Sequence, residues 1–491
     1  MLTPSEIKTF IDNDRASIKK QLARTGQRYY EADHDIKDYR IFFMDDQGNI
    51  QEEKYKSNIK ISHPFFTELV DQEVQYMLSG KEGFVKSDDP DLQEHLNEYF
   101  NDNEDFMAEL YEVITGCVAK GFEYAYAYKN AEGKTCFQCA DSLGVVEVKA
   151  KETDDGCEYV IYHYIDNIGK DNKKIKRIQV WDKAQTYFYC QEDDGAIKPD
   201  DSVDINPRPH VIWKEDGKGG IYYEDFGLIP FFRLDNCKKQ FSGLKPIKRL
   251  IDDFDLHACA LSNNLQDTAE ALYVVKGFTG DNLDELMMNI KAKKHIGVDD
   301  DGGVEVHTVQ IPYEARKTKL DLDRECIFRF GSGLDTSNLR DTNATTNIAI
   351  KLAYSLLDLK VNKLQIRLKQ FMRKLLKIVL AEINEEFSTD YQQKDVYFNF
   401  NPEIPTNAQE NAQIELLEAQ RRQTEINTLL GLASHLDNET MMQQICEQLD
   451  LDYNELKGKL PKPEESNDPY QAKSILETLP TEPDDGGDVI E

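Results

Sequence analysis

Hydrophobic positions along this chain fall into successive regimes of spacing. Up to about residue 120 they follow helical spacing, recurring every three or four residues. Thr3 to Glu6 has capping-box spacing. Pro64 suits the first turn of a helix over "FFTELVDQEVQYMLSG", which Gly80 can close. Further helices are expected over 92–100 and 104–119. From Gly121 the period drops to two: "YAYAY" (Tyr124 to Tyr128) alternates strictly, and "VIYHYI", "TYFYC" and "HVIWKE" carry the aromatic and β-branched residues of strands. Residues 122–234 therefore read as a β-rich region with turns at "NAEG" and "EDDG".

Helical spacing returns over 244–270. A small α/β insert follows: a strand over 272–276, a helix over 282–292, and strands around "HIGV" and "VEVHTV" flanking an acidic turn, "DDDGG". A second helix, "YEARKTKLDLDRECIFRF", leads back out. One very long helix is then expected over 346–387. Leu357, Val361, Leu364, Leu368, Phe371, Leu375 and Ile378 alternate steps of four and three and give one continuous apolar stripe. At about 1.5 Å per residue it spans roughly 60 Å. A strand at "VYFNFNP" and helices opening at Thr406, near Asp437 and at Asp452 come next, and the proline-rich acidic segment 461–491 is expected to be a mobile tail.

Length and charge narrow the field. The chain has 491 residues, more than one core usually supports, and 40% are hydrophobic, enough for several folded domains. Its 59 Lys and Arg against 91 Asp and Glu leave −32, which argues against a protein that grips nucleic-acid phosphates or an anionic membrane. "MLTPSEIKTF" has neither the basic start nor the apolar stretch of a signal peptide, and no apolar run is long enough for a bilayer. A cytosolic site is expected. Nine scattered cysteines fit reduced thiols.

Candidate chemistry is sparse. "GKT" at Gly133 to Thr135 lacks the first glycine of a phosphate loop, because Tyr128 stands there, so it reads as a turn. "CFQC" (Cys136 to Cys139) has metal-ligand spacing, but no second pair completes a zinc set. "DDDGG" (Asp299 to Gly303) lacks the spaced ligands of a calcium loop and reads as a hairpin turn. His63, beside Pro64, reads as structural, and Asp252 and Asp253 as a solvated helix face. No enzyme chemistry, cofactor or metal site is expected.

One stretch stands apart: "LRDTNATTNIAIK" (Leu339 to Lys351) carries no charge between Asp341 and Lys351, in a chain that is 31% charged. It opens the long helix. Two helices enclosing a small α/β insert, then this loop, a very long helix and a helical C-terminal part make an unusual order. That order resembles the portal proteins of tailed bacteriophages, of the type found in long-tailed phages of Gram-positive hosts. The resemblance is carried by "RYYEADHDI", "NIKISHPFFTELVDQEVQYMLSG", "GLIPFFRLDN", "LKPIKRLIDDFDLHACALSNNLQDTAEALYVVKG", "FNFNPEIPTNAQENAQ" and "SHLDNETMMQQICEQLDLDYNELK". The family pattern has glycine and serine where this chain has "TNATTN".

The resemblance implies an α+β, mainly helical connector fold. It would have a wing (1–243, N-terminal helices and β-rich part), two stem helices (244–270 and 312–333) and a clip (271–311). A tunnel loop (334–346), a long wing helix and strand (347–400), a crown (401–460) and the acidic tail (461–491) would complete it. It further implies a ring, usually of twelve subunits, through which double-stranded DNA is packaged and ejected. Asn338, Arg340, Thr342, Asn343, Thr345 and Thr346 would then face the duplex. The implied partners are further copies of the chain, a large terminase ATPase, major capsid and scaffolding proteins and a head-completion adaptor, with no membrane. The implied location is the virion, after assembly in the host cytoplasm. Read from the residues alone, a cytosolic coiled-coil scaffold built on the apolar stripe and a carboxylate-dependent enzyme stay open.

Overall fold

The computed structural model describes residues 1–446 except 46, 54–55, 81, 150–155, 169–172, 193–194, 215–220, 268–271, 279–297, 308–311, 336–346, 405–407, 432–439, 441 and 445. The helices expected over 282–292 and at Asp452, and the tail, lie outside the described residues. The chain divides into two compact units, 1–405 and 406–491.

In the first unit, α1 (Pro4–Ala16) starts at the predicted capping box. The Glu6 amide donates to the Thr3 hydroxyl at 3.3 Å while the Thr3 amide donates to the Glu6 carboxylate at 2.8 Å. After α2 (Ile18–Tyr30) comes a small hairpin of β1 (Phe42–Met44) and β2 (Ile50–Glu52). The helix α3 (Phe65–Met77) begins at Pro64 but stops short of Gly80. Gly80 serves a close approach instead, since a Cβ there would lie 2.9 Å from the Asn401 carbonyl oxygen. After β3 (Val85–Ser87), α4 (Pro90–Leu96) runs into a π-helical turn, Asn97–Asn101. Then α5 (Glu104–Lys120) ends on Gly121, whose φ of +97° favours glycine and whose Cβ position lies 2.4 Å from the Gln240 carbonyl oxygen.

The β-rich region is where the alternation placed it. β4 (Phe122–Lys129) lies between β5 (Thr135–Ala140) and β14 (Phe231–Asp235). A second sheet runs β10-β9-β8-β7-β6, from β6 (Val145–Val148), β7 (Tyr159–Ile168), β8 (Lys173–Trp181), β9 (Gln185–Glu192) and β10 (Lys198–Pro199). The short β11 (Arg208–Pro209) also pairs with β9, and β12 (Val211–Lys214) pairs with β13 (Ile221–Glu224). The "YAYAY" pattern now has a cause. Ala125 and Ala127 face the main core of helices, where only small side chains fit, and Tyr124 and Tyr126 face the aromatic cluster with Trp181 and Phe231.

The helix α6 (Lys248–Asp267) precedes a two-stranded ribbon, β15 (Leu272–Phe278) with β16 (Val298–His307). The ribbon corrects the sequence reading of "DDDGG". Asp299 to Gly303 lie inside β16, where five steps of β16 oppose two of β15 between Lys276↔Gly303 and Phe278↔Val298. The acidic run is accommodated as an irregularity of a continuous strand, because its pairing partner is the distant β15.

From the ribbon the chain enters α7 (Tyr313–Gly331), and after the loop the long helix α8 (Asn347–Phe387) follows, 41 residues in all. All seven residues of its predicted stripe are at most 7% exposed and join the core of α3, α5 and β14. Each fully buried Leu or Phe there contributes about 2–3 kcal/mol of transfer free energy. β17 (Val396–Phe398) pairs with β3. In the second unit, α9 (Ala408–Gly431) is the helix expected from Thr406. Among the described residues no helix is long and apolar enough to cross a membrane.

Candidate functional site

The six loop residues singled out by sequence, Asn338, Arg340, Thr342, Asn343, Thr345 and Thr346, lie outside the described residues. Both flanks of their loop are described, and one helix holds them. Its face Leu69, Gln72, Glu73 and Tyr76 has the spacing of a single helical side.

On the upstream flank, α7 ends in a left-handed cap at Ser332, with the Gly333 amide donating to the Phe328 carbonyl at 2.9 Å. Gly333 then packs so tightly that a Cβ would lie 2.0 Å from a Leu69 methyl. Gln72 next clamps the main chain. Its Nε2 donates to the Leu334 carbonyl at 3.0 Å, and the Leu334 amide donates to its Oε1 at 2.9 Å. The Arg324 guanidinium donates to Asp335 at 3.0 Å.

The downstream flank is α8. Glu73, 1% exposed, pairs with Lys360 at 2.8 Å, and the same ammonium donates to the Gly331 carbonyl at 3.0 Å. The Tyr76 hydroxyl donates to Asp358 at 3.3 Å, and its ring centroid is 5.4 Å from that of Tyr354. Burial, then the nearby Asp358 carboxylate, push the Tyr76 phenol up to about 12, so it stays a donor.

A second set of contacts ties α6 to the N-terminal helices. Asp255, Cys259, Asn263 and Asp267 repeat every four residues on α6. They accept from the amides of His63, Ile61, Ile59 and Ser57 respectively, at 3.0, 3.2, 2.7 and 3.2 Å. Four helical residues advance about 6 Å and two extended residues about 6.6 Å, so the periods match. At one end, buried Asp255 also accepts from Nδ1 of His34 at 2.6 Å and of His63 at 2.7 Å. Burial opposes ionisation of Asp255, but the hydrogen bonds from the two histidines outweigh it and hold the carboxyl below its usual value.

The remaining sequence candidates are structural. Cys136 and Cys139 lie three apart on β5 and so point to opposite faces of the strand, which separates the two thiols. Gly133 to Thr135 close a turn, in which the Gly133 amide donates to the Asn130 carbonyl at 3.1 Å. Asp252 and Asp253 stay partly solvated, their side chains 34 and 43% exposed, and are also ion-paired: Asp252 with Lys248, one turn back on α6, at 2.8 Å, where Tyr29 of α2 also donates to it, and Asp253 with Lys319 of α7. Among the described residues no group of His, Cys, Asp and Glu could hold a metal ion.

Comparison with known proteins identifies the family. The family model "Phage portal protein, SPP1 Gp6-like" matches residues 9–452. The portal protein of Bacillus phage SPP1 is 27% identical over 351 residues, covering 71% of this chain and 67% of that protein. The portal protein of Clostridium phage phiCD119 is 29% identical over 196 residues, 38% of this chain and 42% of that one. A solved chain from "Neck of native GTA particle computed with C12 symmetry" aligns with a TM-score of 0.38 at 12% identity, covering 78% of this chain and 90% of that one. With a family model matched across 9–452 of 491 residues, the chain belongs to the SPP1 Gp6-like phage portal protein family.

Proposed function

We propose that copies of this chain, twelve in number, close into a ring at a capsid vertex, and that the ring is the channel for double-stranded DNA during packaging and ejection. Membership of the portal family over nearly the whole chain carries this reading. Residues 334–346 form the channel wall, with Asn338, Arg340, Thr342, Asn343, Thr345 and Thr346 toward the duplex. The chemistry supports that role. A duplex carries about one negative charge per 1.7 Å, and a basic lining would hold it through released counterions. Thr342, Asn343, Thr345 and Thr346 are small and neutral and touch it without gripping, in a chain of net charge −32, and the one cation in this set, Arg340, is followed directly by Asp341.

Energy for translocation comes from a separate large terminase ATPase docked on the ring. The major capsid and scaffolding proteins surround it and a head-completion adaptor continues the channel. The assembly forms in the host cytoplasm and ends in the virion. The test is a variant with Asn343, Thr345 and Thr346 replaced by lysine. Its rings should assemble normally and package DNA slowly or stall, since each new phosphate contact adds salt-dependent affinity. Normal packaging by those rings would refute the channel assignment.

A further inference from the structure

Two apolar surfaces of the first unit have no cover among the described residues. The first is the β1–β2 hairpin. Both its strands are exposed along their length, and Phe42, Phe43, Met44 and Ile50 are 58, 42, 70 and 73% exposed. A two-stranded ribbon is marginal by itself in water, and this one presents apolar side chains on both faces.

The second is the side of α8 turned away from its core stripe. Leu352, Leu356, Leu359 and Ile366 lie on it, 74, 45, 59 and 63% exposed. The steps of four and three continue through Lys363, Arg373, Lys374 and Lys377, all exposed, so this one face is apolar toward the helix start and basic beyond. From Asn347 to Lys377 the helix carries eight Lys and Arg against the single acid Asp358, in a chain with an excess of 32 negative charges. The hairpin is its opposite: residues 42–53 carry Asp45, Asp46, Glu52 and Glu53 and no basic residue, although Glu52 pairs with Arg40 before the hairpin at 3.4 Å.

A cyclic ring has a heterologous interface, so each copy needs two different patches that complement each other. We propose that the β1–β2 hairpin of each copy docks on the outward face of α8 of the next, with Phe42, Met44 and Ile50, which share one face of the ribbon, against Leu352 to Ile366 and the Asp45 carboxylate toward the lysines beyond. The inference rests on the ring reading and names which surfaces close it. Matching apolar and charged segments in the same order, acid to base, favour a second copy as the occupant over an unrelated protein.

The test uses two full-length variants, Phe42→Asp with Met44→Asp, and Leu359→Glu with Ile366→Glu. All four residues are exposed, so each variant should fold, with the wild-type far-ultraviolet circular dichroism spectrum. Native mass spectrometry should show wild-type rings and, for each variant alone, the 56.6 kDa monomer. Mixed one to one, the variants should form a heterodimer and nothing larger, because only one intact hairpin and one intact α8 face remain between them. Rings from either variant would overturn this contact while leaving the ring reading intact. Two monomeric variants whose mixture gives no heterodimer would show that the patches do not meet and would also overturn it. A wild-type chain that stays monomeric would overturn the ring reading, and this contact with it.

Discussion

Replacing Lys360 by methionine removes the cation facing Glu73 and leaves a carboxylate that is 1% exposed without its partner. Breaking a buried pair from one side costs about 3–5 kcal/mol. The Lys360 side chain is 25% exposed, so solvent screening places the cost near the lower end, and the lost bond to the Gly331 carbonyl adds about 1 kcal/mol. A total near 4 kcal/mol follows. At about 2.1 cal/mol/K per residue, a unit the size of 1–405 unfolds with an entropy of roughly 0.85 kcal/mol/K, so Tm should fall by about 5 °C. Thermal unfolding followed by circular dichroism measures this directly. The control is Glu73→Leu combined with Lys360→Met, which removes both charges and should recover most of the loss, since a well-packed apolar pair replaces a buried ion pair at little cost. A single variant melting within a degree of wild type, or a double variant no better than the single, would refute the clamp as an electrostatic joint.

Three further outcomes follow from burial and geometry. Burial and then the nearby Lys176 lower the His163 value from 6.5 to about 3; its neutral form therefore stabilises the fold fully above pH 6.5, and that contribution is lost as pH falls toward 3. At pH 4 the penalty is about 3 kcal/mol, and His163→Gln should flatten the acid limb of denaturant midpoints measured from pH 7 to 4. Gly121→Ala should cost at least about 3 kcal/mol in the same melts, because alanine is strained at φ +97° and its methyl meets main-chain atoms of 240–242. Asp255→Ala should cost about 4 kcal/mol and speed amide exchange at His63, since two imidazoles and one amide lose their shared acceptor; unchanged exchange would show that the extended segment is held elsewhere.

How much of this was legible depends on how local each signal is. The 41-residue helix, its stripe, the capping box at Thr3 and the alternation at Tyr124 to Tyr128 follow from spacing within a few residues, and the fold reproduces them. The clamp does not announce itself. Gln72 reads as a polar surface residue of a helix, and its partner Leu334 lies 262 positions away. Glu73 and Lys360 are ordinary charges until the fold buries one against the other. The acidic run at 299–303 misled because turn chemistry is local while the strand pairing that absorbed it is not. Composition places Asp252 and Asp253 on a solvated face but says nothing of the neighbours that face meets, Tyr29 and Lys319.

The ladder on α6 shows why such joints matter to a chain of this order. An extended segment has no internal hydrogen bonds, so its amides need external acceptors wherever it is covered. Here α6 supplies one acceptor per turn, at Asp255, Cys259, Asn263 and Asp267, and every second amide of 57–63 uses it. The same logic holds at the loop, where Gln72 answers both main-chain groups of Leu334. A shift of residues 334–335 must therefore break two hydrogen bonds at Gln72 or carry α3 with it. Because Leu69, Val70 and Val74 of α3 are buried in the core shared with α8, moving α3 moves that core's packing. Breaking two neutral hydrogen bonds costs about 1–3 kcal/mol, whereas opening a core of this size costs far more. Small displacements of residues 334–335 are thus released at their side-chain contacts with Gln72 and Arg324 before the core of α3 and α8 is disturbed.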